Sequence, residues 1–289
     1  MYKKILVPLD GSKLAEGVLP YARLLAVPLQ LPVDLLYVND PDTVAPAAYS
    51  ISGSDYLKQV AASFSGVAVN GRVGNGRAAE VIVDSASQDR GILITIATHG
   101  RSGAQRWLMG SVAQKVLHAS MNPLLLIRPS EATALNPDVR LTSVILPLDG
   151  SHLAEKILPH VVYLANRLKL EVVLIRTYEL PTTSYFMATG VSPPDTGELG
   201  EKIKGEVTEY LQRKAEELRA EGIEKVSFMA VAGKGAEEII DLAKRTQNSL
   251  IAMSSHGRSG IGRWVLGSVT DRVVCYCGDP VLVIRAGSD

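Results

Sequence analysis

Cysteine and long apolar runs are both scarce in this chain of 289 residues. Two cysteines, Cys275 and Cys277, are too few for a disulfide framework, so a reducing cytoplasm is the expected compartment. No uninterrupted apolar stretch approaches the ~20 residues that a membrane span requires. Asp10 also breaks the apolar run near the start, which argues against a signal peptide. We therefore expect a cytoplasmic protein with no membrane association.

Charge of either sign is not in excess, because 30 basic residues balance 30 acidic ones. Proteins that bind nucleic acid usually present a basic face, so we expect no nucleic-acid partner. Small anions are not excluded, since a few backbone N–H groups can hold a phosphate in a neutral protein. The sequence also lacks the Gly-x-x-x-x-Gly-Lys-Ser/Thr loop and the water-positioning pattern of a dedicated NTPase.

An internal repeat is the dominant feature of the sequence. The block Ile5–Ser12 returns as Val144–Ser151, and Thr98–Val112 returns as Ser255–Val269 with ten of fifteen residues identical. The offset is 139 residues at the first block and 157 at the second, so the second half carries 18 extra residues. A period near 140 residues indicates a duplicated domain and not a solenoid. Pro129–Arg140, which is polar and contains proline, is interpreted as the linker between domains at 1–130 and 141–289.

Apolar runs and helical patterns alternate along each half. Several of the runs are nearly continuous, as expected for parallel strands that are covered on both faces. This alternation predicts an α/β fold of two tandem, doubly wound, five-stranded parallel-sheet domains. The strands predicted in the first half are Lys4–Asp10, Val33–Asn39, Val67–Val73, Ile92–Thr98 and Leu124–Ile127.

The extra residues of the second half lie between Tyr178 and Glu224. They form a loop rich in proline, glycine and threonine, Pro181–Gly197, and a charged helix predicted over Glu198–Ala220. The corresponding helix of the first half is predicted to be shorter, over Ser54–Phe64. The two halves are therefore expected to share a sheet but to differ in what covers it.

Two of the repeated blocks fall where a strand ends, and ligands of open α/β sheets bind beyond the carboxyl ends of the strands. The first strand ends in Asp10-Gly-Ser, and the fourth runs through His99 and Gly100 into a helix that opens at Gly110-Ser111. Glycines allow close backbone approach, and free N–H groups at a helix start favour phosphate. Asp10 can accept hydrogen bonds from ribose hydroxyls or an adenine amine. The alternative is local, with glycine turns and with Asp10 and Ser111 as N-caps of the following helices.

Two further motifs have ordinary structural explanations. Cys275-x-Cys277 has no second Cys/His pair nearby in the sequence, which favours two ordinary thiols over a metal site. His99 and His256 have no nucleophile motif beside them, so we predict loop histidines that donate to backbone or phosphate and not general bases. No catalytic residue and no metal ligand is assigned.

Taken together, the motifs resemble the universal stress protein family, whose ATP-binding members carry Gly-x-x-Gly, nine residues, and then Gly-Ser or Gly-Thr. Gly100 is followed by nine residues and Gly110-Ser, and Gly257 by nine residues and Gly267-Ser. The acid of strand one and a last strand that begins with proline accompany this spacing in both halves, so the chain is identified as a tandem member. The resemblance implies a Rossmann-like fold of the adenine nucleotide alpha hydrolase type. It also implies a stress-response protein that binds ATP, ADP or AMP, with Mg²⁺ as a companion of the nucleotide.

The resemblance further implies which residues hold the nucleotide. The strand-one acids would hold ribose or adenine, Val38 and Thr177 would present backbone groups to the adenine edge, and the glycine–serine blocks would wrap the phosphates. The first motif glycine is replaced by Ala97 in one half and by Ser254 in the other. Thr270 stands where the first half has alanine, so the second site is expected to be slightly the better one. The implied residues are Pro8, Asp10, Val38, Ala97, Gly100, Gly110, Ser111 and Val112, and Pro147, Asp149, Thr177, Ser254, Gly257, Gly267, Ser268, Val269 and Thr270.

The family pairs its domains through the last, edge strand, here Leu124–Ile127 and Val281–Ile284. Because an exposed apolar edge must be covered, we expect the two halves to form an intrachain pseudo-dimer, and we expect a homodimer of chains in addition. Enzyme activity is not expected beyond slow ATP hydrolysis. The alternative, which Ala97 and Ser254 motivate, is an interaction module of the same fold that no longer binds nucleotide.

Overall fold

The computed structural model describes residues 1–42, 52–99, 109–129, 139–180, 196–256 and 266–285. Strands and helices alternate in both halves. The first half contains β1 (Lys4–Leu9), α1 (Lys13–Glu16), α2 (Leu19–Leu29), β2 (Val33–Asn39), α3 (Gly53–Ala61), β3 (Val69–Asn75), α4 (Ala78–Ser87), β4 (Ile92–Ala97), α5 (Ser111–Ala119) and β5 (Leu124–Ile127). The second half contains β6 (Ser143–Pro147), α6 (His152–Glu155), α7 (Leu158–Leu168), β7 (Glu171–Tyr178), α8 (Thr196–Ala220), β8 (Val226–Ala232), α9 (Gly235–Arg245), β9 (Ser249–Ser254), α10 (Ser268–Tyr276) and β10 (Val281–Ile284).

The strands form one sheet of ten, in the order β3-β2-β1-β4-β5-β10-β9-β6-β7-β8. Neighbours within each half are parallel, and the halves meet through the antiparallel pair β5–β10, where Leu125 lies opposite Leu282. The predicted α/β class, with two doubly wound five-stranded parallel sheets, is confirmed. In each half the strand order reverses beside the first strand, between β1 and β4 and between β6 and β9, which is where such folds leave a crevice.

Apolar side chains cover both faces of the sheet. Successive residues of β1 alternate between two core clusters, with Ile5 and Val7 in one and Leu6 in the other. Buried residues of α2, α3, α7 and α8 belong to the first cluster, and those of α4, α5, α9 and α10 to the second. Both clusters contain residues from both halves, so the two sheets share a core.

Two arginines bind across the junction between the halves. The Arg128 Nη1 atom, just after β5, donates to the Cys275 carbonyl in the last turn of α10 at 2.6 Å. The Arg285 Nη1 atom, just after β10, donates to the His118 carbonyl in the last turn of α5 at 2.9 Å. The last carbonyls of a helix lack partners within the helix and carry its negative dipole end. Each half therefore caps a helix of the other.

The strand boundaries of the first half lie within two residues of the sequence prediction. Val33–Asn39 and Leu124–Ile127 have the predicted bounds, and β1 and β4 each end one residue before the predicted Asp10 and Thr98. Strand β3 begins and ends two residues later than predicted. The register with β2 is the reason, because Val69 lies opposite Val33 and Asn75 opposite Asn39. The side-chain amide of Asn39 also donates to Asn75 Oδ1 at 3.0 Å, which extends the pairing into polar residues.

The insertion of the second half lengthens the helix that covers β7 and β8. Helix α8 begins at Thr196, two residues before the predicted start, and its Leu211 and Ala215 are fully buried. The equivalent α3 ends at Ala61, three residues before the predicted end. Most of the loop Pro181–Gly197, up to residue 195, lies outside the described residues. None of the helices in the described ranges is long and apolar enough to cross a membrane.

Candidate functional site

Each half has a cavity beyond the carboxyl ends of its strands, at the point where strand order reverses. The first cavity has a volume of about 710 Å³ and the second about 270 Å³. Gly100 and Gly257 lie outside the described residues. All the other predicted site residues line these two cavities: Pro8, Asp10, Val38, Ala97, Gly110, Ser111 and Val112 in the first, and Pro147, Asp149, Thr177, Ser254, Gly267, Ser268, Val269 and Thr270 in the second.

The strand-end acid is held by the turn that follows it. Asp10 Oδ1 accepts from the Ser12 backbone N–H at 2.9 Å and from its hydroxyl at 2.6 Å. The residue between them, Gly11, has φ +83°, a left-handed conformation that favours glycine. The N-cap of α1 is Ser12, whose Oγ accepts from the Ala15 N–H at 3.1 Å. The alternative that Asp10 is an N-cap is therefore wrong. Its carboxylate is oriented by the turn and faces the first cavity.

The opposite wall of each cavity is the start of a helix. Gly110 is the N-cap residue of α5, and Gly267 is the N-cap residue of α10, so the alternative that Ser111 is the cap is also wrong. Neither glycine has a side chain to cap the first amides, which leaves N–H donors at the cavity wall. A Cβ atom on Gly110 would lie 3.0 Å from the Thr98 carbonyl oxygen, so the close approach requires glycine.

A histidine follows β4 and β9 at the edge of each cavity. His99 Nδ1 lies 3.0 Å from the Thr98 hydroxyl, and His256 Nδ1 lies 2.9 Å from the Ser255 hydroxyl. The Nε2 atoms of both rings are buried and have no hydrogen-bond partner among the described residues. Burial lowers the pKa of His256, and the nearby Arg285 lowers it further. These ring nitrogens suit a polar ligand or a water molecule, and a bond from either histidine to phosphate stays a prediction.

The model of the universal stress protein family matches residues 1–128 and, a second time, residues 141–285. The chain belongs to this family. Each match spans one set of five parallel strands with its cavity, so the tandem arrangement predicted from the repeat is confirmed.

Relatives in the universal stress protein family resemble either one half or most of the chain. The universal stress protein MJ0577 of Methanocaldococcus jannaschii is 30% identical over 157 residues, which cover 51% of this chain and 96% of the relative. A universal stress protein of Mycolicibacterium smegmatis is 25% identical over 226 residues, 76% of this chain and 70% of the relative. The crystal structure of a universal stress protein from Archaeoglobus fulgidus shares the fold, with a TM-score of 0.68, 18% identity and 98% coverage of both chains.

One residue implied by the family motif has a role within this protein. The Thr270 hydroxyl is buried and donates to the Ser254 carbonyl at 3.0 Å. The hydroxyl that favoured the second site is therefore engaged with the protein, and which site binds better stays a prediction. By contrast, the Ser254 hydroxyl is buried with no partner in the described part of the chain, and it lines the second cavity.

Sequence reasoning missed three residues that line the first cavity of this universal stress protein: Tyr37, Asp40 and Asp42. They lie at the end of β2 and just after it. Asp40 Oδ2 accepts from the Ala78 N–H at 2.8 Å, a bond that caps α4 and holds the pKa of Asp40 below its usual range. The two halves differ at these positions, so a search for repeated residues could not find them. Their place at the carboxyl end of a strand was the available signal.

The two cysteines, predicted to be ordinary thiols, lie at the end of α10 and just after it. Cys275 and Cys277 are both free, and burial raises the pKa of Cys277 to about 11. The described residues contain no group of three His, Cys, Asp or Glu side chains that could hold a metal ion. Cys277 packs in the second core cluster, whereas Cys275 is partly exposed.

Proposed function

We propose that this universal stress protein binds an adenine nucleotide, ATP, ADP or AMP, in both cavities as a regulatory ligand of a stress response. The observation that carries the proposal is the same arrangement in both halves. A strand-end carboxylate, Asp10 or Asp149, and the uncapped start of a helix, α5 or α10, line one cavity. The first volume is typical of small-molecule sites, and the second is near the lower end of that range.

The chemistry of the two walls suits the two ends of a nucleotide. A carboxylate that the following turn orients can accept hydrogen bonds from ribose hydroxyls or from the adenine amine. The amides at the start of α5 and α10, together with the helix dipole, favour phosphate oxygens. The buried Nε2 atoms of His99 and His256 and the Ser254 hydroxyl are polar groups that a ligand could satisfy. Mg²⁺ would enter with the phosphates.

Isothermal titration with ATP tests the proposal, with two sites per chain as the expected stoichiometry. Asp10→Ala and Asp149→Ala should each weaken one site by about tenfold or more, because each removes a charged hydrogen-bond partner. Gly110→Val and Gly267→Val should each close one site, since a Cβ would lie 3.0 or 3.1 Å from a backbone carbonyl.

Gly205→Val is the matched control, because a Cβ atom at Gly205 on α8 meets nothing within 4 Å. Asp241→Ala, at a surface ion pair with Lys244, is the control for the acid variants. ATP binding that is unchanged by the cavity substitutions would rule out the assigned sites. Phosphate release at about one per second or faster would instead make the protein an ATPase.

The second candidate is an interaction module that has lost nucleotide binding. The smaller volume of the second cavity and the added Ser254 side chain favour this alternative there. Mass spectrometry of the purified protein after denaturation separates the two functions. Co-purified ATP or AMP supports the ligand function, and a spectrum without nucleotide supports the interaction module.

We also propose a cytoplasmic location, domain boundaries at 1–130 and 141–289, and a homodimer of chains. Light scattering on an eluting column peak gives the molar mass, which should be twice the 31.0 kDa of one chain. Because β5 and β10 already pair with each other, chains that dimerise must use another surface. A mass of one chain at all concentrations would contradict the homodimer.

A further inference from the structure

We infer that the two cavities select nucleotides of different charge: the second takes the triphosphate, and the first prefers a nucleoside or a monophosphate. This inference rests on the proposed function and concerns the ligand preference of the same two sites. Three differences between the halves support it, and each of them makes the second cavity more favourable to a negatively charged ligand than the first.

The first difference is the number of carboxylates that line each cavity. Asp10, Asp40 and Asp42 line the first, whereas Asp149 is the acid among the described residues that line the second. Glu179, the counterpart of Asp40, is exposed and does not belong to that lining. Among the described lining residues, the first cavity therefore carries two additional carboxylates, which disfavour each added phosphate; Asp40 is partly buried, whereas Asp42 is 72% exposed and its charge is screened by solvent.

Basic residues beside α4 and α9 and on α5 and α10 do not compensate for this difference, because the two halves match at these positions. Arg77 and Lys234 occupy equivalent positions before α4 and α9, and Lys115 and Arg272 occupy equivalent positions on α5 and α10. The Arg77 pair with Asp42 is long, 3.6 Å, and both side chains are about two-thirds exposed, so solvent screens it. The basic groups at these four positions therefore do not offset the difference in carboxylates.

The second difference is the start of the helix after the third strand. In the first half, Asp40 already occupies the Ala78 N–H at the start of α4. In the second half, the N-cap residue Lys234 makes no side-chain cap bond, and the next residue, Gly235, lines the cavity. The first turn of α9 carries Glu237, which pairs with Arg272 at 3.1 Å, and Glu238, which lies against Gly233, and neither acid belongs to this lining. The start of α9 therefore adds a positive dipole end to the second cavity.

The third difference is the residue at the end of the second strand. Tyr37 lines the first cavity and packs edge-on against Tyr56, with 5.9 Å between ring centroids. Its counterpart, Arg176, stacks its guanidinium over Tyr210 at 4.6 Å. A Cβ atom on Gly150 would lie 2.8 Å from Arg176 Nη1, so the positive charge lies against the turn that orients the strand-end acid. Tyr37 gives the first cavity an aromatic wall that suits a base or ribose. Arg176 is not among the lining residues of the second cavity, so its positive charge acts through the adjacent turn and favours a more negatively charged ligand.

Titration of variants with one open cavity tests the inference, with adenosine, AMP and ATP as ligands. In Gly110→Val, which leaves the second cavity, ATP should bind about tenfold or more tightly than adenosine. In Gly267→Val, which leaves the first, the order should reverse. Adding Asp40→Asn and Asp42→Asn to Gly267→Val should strengthen ATP binding about tenfold and leave adenosine unchanged. Asparagine keeps an oxygen that can still cap α4, and Asp89→Asn, at an exposed pair with Lys3, is the control.

The same asparagine pair in the otherwise unaltered chain covers the case in which a valine variant does not fold. In that protein, the affinity of one of the two sites for ATP should increase, and the affinity of the other should stay the same. The same ligand order in both cavities, or no response of ATP to the asparagine pair, overturns the inference alone. If no ligand binds to either cavity, the proposed function fails and the inference fails with it.

Discussion

A buried histidine at the junction between the halves should make stability depend on pH. Tyr2 at the start of the first half lies with its hydroxyl 2.7 Å from His160 Nδ1 on α7 of the second half. Burial and, to a smaller extent, the nearby N-terminal ammonium lower the pKa of His160 from 6.5 to about 4. Between these values the unfolded chain binds a proton that the folded chain does not. Stability from this group is therefore complete above pH 6.5 and declines as pH falls toward 4.

The expected size follows from the two pKa values. At about pH 5, the shift of His160 should lower the free energy of unfolding by about 2 kcal/mol relative to about pH 7.5. Asp279 acts with the opposite sign, because burial raises its pKa from 3.8 to about 6. The folded state then holds a proton that the unfolded state releases, and this stabilisation is lost as pH rises through 6. The pH dependence of the unaltered chain therefore contains the contributions of both His160 and Asp279, which oppose each other.

The His160→Gln variant removes the contribution of His160 to the pH dependence, because glutamine stays neutral and can still accept a hydrogen bond from the Tyr2 hydroxyl. Urea unfolding of both proteins at about pH 7.5 and about pH 5 gives the difference in free energy. The variant should gain about 2 kcal/mol relative to the unaltered chain on acidification. Asp279→Asn is the companion variant, and its free energy of unfolding should fall relative to that of the unaltered chain on acidification. Equal pH responses of the His160→Gln variant and the unaltered chain would refute the reasoning.

Three further substitutions test the junction and the second cavity. Arg285→Met should lower the free energy of unfolding in urea by about 1–3 kcal/mol, because the His118 carbonyl loses a charged donor; no change would contradict the cross-junction cap. Gly150→Ala should destabilise by about 1–3 kcal/mol, since its φ is +85° and Arg176 occupies the space, and an unaltered melting temperature would contradict this. Leu125→Ala, at a site only 2% exposed, should cost about 2–5 kcal/mol in the same urea assay, and a cost near zero would mean that the junction is not packed.

The fold could be predicted from the sequence because several of its strands are nearly continuous apolar runs. Ile92–Ala97 and Leu124–Ile127 are covered by helices on both faces, so burial dictates their composition directly. The boundaries of β3 could not be predicted in the same way. Residues Val69–Asn75 are mostly polar or glycine, and the backbone pairing with β2 determines where the strand ends. A single segment does not contain that information.

The repeat identified the parts of the candidate site that recur in both halves. Asp10 and Gly110 were found because they return as Asp149 and Gly267, and all four line a cavity. Local hydrogen bonding was harder to assign, since Asp10 and Ser12 are both good N-cap residues and the structure selects Ser12. Tyr37 and Asp40 were missed because a repeat search discards residues that differ. The search for repeated residues that located the two cavities therefore cannot detect residues such as Tyr37 and Asp40, which distinguish one cavity from the other.

The union of β5 with β10 makes the partnership of the two halves a property of a single molecule. Two separate domains joined by the same strands would dissociate on dilution, whereas tethered ones face each other at a fixed effective concentration. The stoichiometry of one cavity type to the other is therefore always one to one, however little of the protein a cell contains.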